Sequence, residues 1–208
     1  MGGDGGPPAA VFGTALPGVQ RLAGLLEANA VERGLMGPRE MSRLWERHLL
    51  NSGVLAPLLP ERGLVVDAGS GAGLPGLVLA LQRPDLSFEL VDSMRRRTDW
   101  LTEAVAALEL TNATVTRARV EELGHRADAA AVVSRAVARL DKLAKWTAGL
   151  LAPGGLFLAL KGAGAAGELA DCRRAVKAAG LTGAAVLELV AVPGADPTYV
   201  VRATRAGR

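Results

Sequence analysis

Two aspartates and a run of glycines carry the most chemistry in this sequence. In VVDAGSGAGLPG, Val65 to Gly76, an apolar run ends at Asp67. Gly69, Gly71 and Gly73 then permit a tight turn with close approach of a ligand to the backbone, and Pro75 suits the first turn of a following helix. Asp92 follows Gly73 by 19 residues, at the end of the next apolar run. That placement suits a carboxylate accepting hydrogen bonds from ribose hydroxyls, so a nucleotide-like cofactor is expected here. Gly71, Gly73 and Gly76 also spell GxGxxG, the dinucleotide fingerprint, which keeps a nicotinamide-dependent oxidoreductase open. Asp67 shifts the weight. A carboxylate beside the loop disfavours a pyrophosphate, whereas it can orient the loop or meet the cationic amino-acid end of S-adenosylmethionine.

The elements that must position these residues follow from hydrophobic rhythm. Leu16, Val19, Leu22, Ala23 and Leu26 recur at helical spacing, and a second helix is expected over Pro38 to Val54. After Pro60, short apolar runs alternate with helical stretches: LVVDAG, LPGLVLALQ, SFELVD, a helix from Arg95 to Leu108, ATVTRA, AAAVVSRA, a helix from Asp141 to Leu151, and GLFLALKG. This is βαβ patterning and implies a parallel sheet. A helix from Ala165 to Ala179 precedes AAVLELVAV and TYVVRAT, whose short PGADP connection requires an antiparallel pair. The expected fold is α/β: a doubly wound, mostly parallel seven-stranded sheet with a C-terminal antiparallel hairpin, the Rossmann-like arrangement of many S-adenosylmethionine-dependent methyltransferases.

Composition sets the outer limits. With 208 residues, 50% hydrophobic and 22% charged, the chain fits one globular domain and excludes disorder throughout. The net charge of +3 permits an anionic partner without establishing one, and 20 of the 24 basic residues are arginine in a chain with no isoleucine. The single cysteine, Cys172, excludes an internal disulfide, and with His48 and His125 it cannot complete a Cys/His zinc site, so no metal is expected. No uninterrupted apolar run reaches the roughly 20 residues of a membrane span, and the N-terminus lacks a signal-peptide pattern. A cytoplasmic protein without membrane association is expected. The glycines and prolines near the start predict a flexible leader over residues 1–15, before a domain over 16–208 whose N-terminal helices occupy about 16–58.

Six blocks in order resemble one family. RHLLNS (47–52), DAGSGAGLPG (67–76), RPDLSFELVDS (83–93), RVEEL (119–123), VVSRAVARL (132–140) and LLAPGGLFLALKG (150–162) are similar to the bacterial small-subunit (16S) ribosomal RNA guanine-N7 methyltransferases, also called glucose-inhibited division protein B. The resemblance covers roughly residues 16–205. It implies an S-adenosylmethionine cofactor contacted by Gly69, Leu74, Val120, Glu121 and Arg135, with Asp92 at the acidic end of the second strand. It also implies 16S ribosomal RNA or the small ribosomal subunit as partner; a monomer is expected. The family pattern usually has Asp at the position of Asn51.

Missing motifs agree with N7 transfer. The (N/D)PP(Y/F) segment common in exocyclic-amine methylation is replaced by SRAVARL after the fourth strand, and Cys172 lies on a later helix than a pyrimidine-C5 nucleophile would. Guanine N7 presents an unprotonated lone pair, so alignment and desolvation suffice, and no catalytic base is expected. Candidate phosphate contacts are Arg39, Arg43 and Arg47, four residues apart on the second helix, with Arg95, Arg96 and Arg97 beside the cofactor edge. Lys161 either meets RNA phosphate or neutralises a strand end, and His48 is either structural or catalytic. A noncatalytic RNA-binding module with a nucleotide pocket remains the third reading.

Overall fold

The computed structural model describes residues 7–207. Seven strands form one sheet in the order β3-β2-β1-β4-β5-β7-β6: β1 Leu64–Ala68, β2 Ser87–Asp92, β3 Ala113–Arg117, β4 Ala129–Arg135, β5 Leu151–Lys161, β6 Leu181–Leu189 and β7 Thr198–Arg205. Strands β1 to β5 run parallel, while β7 lies antiparallel to both β5 and β6. The order reverses at β1, so the connections after β1 and β4 leave for opposite faces of the sheet and open a crevice at the carboxyl ends of these paired strands.

Alternation along the central strands splits the core in two. Val65, Leu90, Val133 and Leu158 face one layer, formed with α2 (Leu16–Asn29), α5 (Gly76–Gln82) and α6 (Arg95–Ala107). Their neighbours Val66, Val91, Val132 and Phe157 face the other, formed with α7 (Leu140–Thr147) and α8 (Ala165–Ala178). Successive side chains of a strand point to opposite faces, and both faces are covered, which is why these strands read as continuous apolar runs.

Three expectations need correction. The leader expected over residues 1–15 is helical from Pro7: α1 spans Pro7–Phe12, Phe12 is buried edge-on to Trp45, and Gln82 Nε2 donates to the Val11 carbonyl at 3.0 Å. Apolar Val11 and Phe12 anchor this segment on the core despite the glycines before it; residues 1–6 lie outside the described residues. The single helix expected over Pro38 to Val54 is three pieces, α3 (Pro38–Met41), a π-helical turn (Leu44–Leu49) and α4 (Leu50–Gly53). Arg43 leaves helical geometry at φ −119° ahead of the widened turn, so Arg39, Arg43 and Arg47 do not lie on one continuous α-helix. Finally, β5 begins at Leu151 rather than Gly155, because its pairing with β4 jumps from Leu151 to Leu156 across an irregularity.

The helical run Pro8–Asn29 has the length and mean hydropathy, 1.2, to cross a bilayer. In the fold Val19, Leu22, Ala23 and Leu26 are buried in the core layer that includes α5, while 28% of that apolar window is buried in all.

Candidate active site

The loop after β1 is strapped to the sheet by its own amides. Gly69 and Ser70 N–H both donate to the Val91 carbonyl at 2.9 Å, and Gly73 N–H donates to the Ser70 carbonyl at 2.7 Å. Two carboxylates complete the strap. Asp67, fully buried, accepts from Gly76 N–H at the start of α5 at 3.0 Å, and Asp92 accepts from Gly71 N–H at 3.0 Å. Asp92, 4% exposed, also accepts from Met94 N–H at 2.9 Å and pairs with Arg97 Nη1 at 3.3 Å. The sequence left Asp67 a choice between orienting the loop and meeting a cationic ligand group. Its carboxylate sits beneath the loop and holds the amino end of α5, which is the orienting role. Burial raises its pKa from 3.8 to about 6, against the lowering pull of the Gly76 amide and the Arg135 charge.

A cavity of about 980 Å³ opens over this loop at the carboxyl ends of β1, β2 and β4. Gly69, Leu74, Asp92, Val120, Glu121 and Arg135, drawn from four separate stretches of chain, all line it. Val120 and Glu121 belong to a 3-10 turn, Val120–Glu122, just past β3. The volume and the lining suit an adenosine-bearing ligand: an open glycine backbone at Gly71, a carboxylate at the end of β2, and an apolar wall from Val120. A Cβ at Gly71 would meet nothing nearer than 3.9 Å, so the space beside it belongs to the cavity.

The far half of the cavity is built by the N-terminal layer and the β5 and β7 edge, with Glu40, Arg47, His48, Asn51, Lys161 and Thr198 on its wall. Arg135 ends β4 at the border between the halves, and its Nη1 donates to His48 Nδ1. His48 Nε2 lies 2.8 Å from Glu40 Oε2. Burial first, then the Arg135 charge, lowers the His48 pKa to about 4, and burial lowers that of Arg135 as well. The imidazole is therefore neutral near pH 7, with Nδ1 accepting and the proton on Nε2.

The sequence-derived phosphate contacts separate here. Arg47 lines the cavity, whereas Arg43 reaches Asp196 at 3.5 Å and Arg95 reaches Asp99 at 3.6 Å, both on the open surface. Arg96 contacts the Gly34 carbonyl at 3.4 Å and Arg97 is committed to Asp92. Of the two roles open to Lys161, the structure shows the structural one: 11% exposed, it donates to the Ala138 carbonyl at 2.7 Å and to Glu168 at 2.9 Å, tethering the end of β5 to α8. Cys172 is buried on α8 in the opposite core layer and lines no part of the cavity. Glu40 was not legible in the sequence, since the π-helical turn breaks the spacing that would have tied it to His48.

The GidB family, described as rRNA small subunit methyltransferase G, matches residues 16–193. The chain belongs to this family. Relatives named "Ribosomal RNA small subunit methyltransferase G" include one from Mycolicibacterium gilvum, 48% identical over 84% of this chain and 78% of that protein. Another, from Renibacterium salmoninarum, is 47% identical over 92% of this chain and 90% of that protein. Among solved structures, a SAM dependent methyltransferase from Aquifex aeolicus superposes with a TM-score of 0.60 at 16% identity, covering 79% of this chain and 93% of that one. The fold is that of class I methyltransferases, as the strand order and terminal hairpin require.

For a member of the rRNA small subunit methyltransferase G family, the bonds made by Asp92 add a structural duty to any contact with cofactor. Asp92→Ala leaves the Gly71 amide and the Arg97 guanidinium without their partner, so the fold itself should lose about 1–3 kcal/mol in the absence of any ligand. Denaturant melts of the ligand-free variant check this; an unchanged midpoint would show that water replaces the carboxylate at no cost.

Proposed function

We propose that the protein transfers the methyl group of S-adenosylmethionine to N7 of a guanine in 16S ribosomal RNA, in the cytoplasm and as a monomer. The observation that carries this reading is the convergence of Gly69, Leu74, Asp92, Val120, Glu121 and Arg135 on one cavity whose other half remains open for an acceptor. S-adenosylmethionine supplies an electrophilic sulfonium methyl group. The glycine loop gives room for it, Asp92 accepts ribose hydroxyl hydrogen bonds on the lone pairs left by its internal partners, and Val120 with Glu121 brackets adenine. Arg135 stands between this half and the incoming base.

N7 attacks with its own lone pair, so the residues of the far half need only align the base and exclude water. Arg47 on the cavity wall and exposed Arg43, Arg95 and Arg96 supply the charge for phosphate, an affinity that weakens with salt. The dinucleotide reading is disfavoured by the same loop. Gly69, Ser70, Gly71 and Gly73 amides are all spent on internal acceptors, and the amino end of α5 faces the Asp67 carboxylate, which leaves little to cradle a pyrophosphate.

Radiolabelled methyl transfer tests the proposal, using small-subunit RNA and assembled subunits from a strain lacking the activity. The expected result is one methyl group per RNA at a guanine that becomes cleavable by reduction and aniline, as N7-methylguanine does. Guanine N7 lies in the deep major groove of A-form RNA, so arbitrary duplexes should be poor substrates. A methyl group on another atom, equal transfer to any duplex, or binding of NADH in preference to S-adenosylhomocysteine would overturn the reading.

A further inference from the structure

We propose that His48 is a positioning residue for methyl transfer: braced by Glu40, its imidazole holds the Arg135 guanidinium at the border between the two halves of the cavity, with the remaining Arg135 donors free to face the ligands. The inference rests on the function proposed above and names how one cavity residue is kept in place.

The geometry is a three-member chain across the molecule. Glu40 ends its reach in α3, His48 sits in the π-helical turn, and Arg135 closes β4, so 95 residues of sequence separate the two ends. A guanidinium has donors only, so its contact with Nδ1 requires that nitrogen to accept, and Nε2 must then carry the proton toward Glu40 at 2.8 Å. Nδ1 is held by Arg135, the residue is 7% exposed, and Glu40 approaches Nε2 at 2.8 Å without the alignment of a hydrogen bond, so turning the imidazole breaks its one buried side-chain hydrogen bond. The low His48 pKa keeps Nδ1 an acceptor at neutral pH.

Arg135 needs such a brace. Burial disfavours its charge, offset by the carboxylates of Asp67 and Glu40, and among the described residues His48 is the one side chain in hydrogen-bond contact with it. Just beyond it Ala136 adopts φ +55°, and Val137, 37% exposed, lies over Gly69. The π-helical turn now has a purpose. It departs from the 3.6-residue repeat where His48 must meet β4 while Leu44 and Leu49 stay in the core.

Three variants and one spectrum test this. His48→Leu removes the acceptor at similar bulk and should slow transfer roughly 10- to 100-fold, since small misplacements at a reacting centre cost that much. His48→Asn, whose side-chain oxygen replaces Nδ1, should recover turnover to within about fivefold of wild type. The His48→Leu/Arg135→Ala double variant should be no slower than Arg135→Ala alone, because the two residues act as one unit. Imidazole nitrogen chemical shifts in the ligand-free protein should report the Nε2–H tautomer, and Arg135→Ala should move the Nδ1 shift. Multiplicative losses in the double variant, wild-type turnover in His48→Leu, or an Nδ1 shift indifferent to Arg135→Ala would each overturn the proposal. A wild-type protein that transfers no methyl group would instead count against the proposed function, and the spectrum would still decide the His48–Arg135 link.

Discussion

Replacing Gly71 with valine should yield a folded protein that no longer binds S-adenosylmethionine. Gly71 sits at φ +57°, where a β-branched residue is strained by about 1–2 kcal/mol, a cost a domain of this size survives. A Cβ added there meets no protein atom closer than 3.9 Å, so the valine has room to project into the space the cofactor would fill. Affinity should fall by at least about 100-fold, equivalent to about 2.7 kcal/mol. Gly76→Ala provides the contrast. A Cβ there would lie 2.5 Å from Asp67 Oδ2 and collide with Leu90, so this variant should fail at the level of the fold. Calorimetry with S-adenosylhomocysteine and circular dichroism on both proteins separate the two effects. A Gly71→Val protein with native affinity would remove the cofactor from the glycine loop.

Asp67→Asn should stabilise the protein at neutral pH, and the gain should disappear in acid. The folded-state pKa of Asp67, about 6, lies above its unfolded value near 3.8, so the native state binds the proton more tightly. Stability from this group is thus greatest at low pH, declines as pH rises from about 4 to 6, and stays low above that window. The full cost of ionising the carboxyl in the fold is about 3 kcal/mol, an upper bound for the gain. The isosteric amide keeps an acceptor for the Gly76 amide, although it forfeits the attraction to Arg135, so about 1–3 kcal/mol is expected at pH 7.5 and almost nothing at pH 4. Melting both proteins across this range checks the sign. A gain constant with pH, or a variant less stable at pH 7.5, would mean the Asp67 carboxyl is not destabilised by burial.

The sequence by itself determined the parts of this protein that depend on short-range regularity. Alternating apolar runs specified strands, helical spacing specified α2, α6 and α8, and the brief PGADP connection required an antiparallel pair, because each signal is written within a dozen neighbouring residues. The glycine loop with Asp67 and Asp92 was legible for the same reason: a strand end, a turn and the next strand end have fixed spacing in a βαβ unit. Tertiary structure alone decided which partner each polar group finds. Asp92 spends its carboxylate on the loop amide 21 residues back, Lys161 turns to Glu168 instead of solvent, and Glu40 reaches Arg135 through His48 across the sheet edge. Burial makes an unpaired polar group costly, so these groups take whichever partners the packed layers bring near, and no local spacing encodes that choice. The π-helical turn belongs with them, since the contacts on both sides of that segment, rather than its intrinsic propensity, set its register.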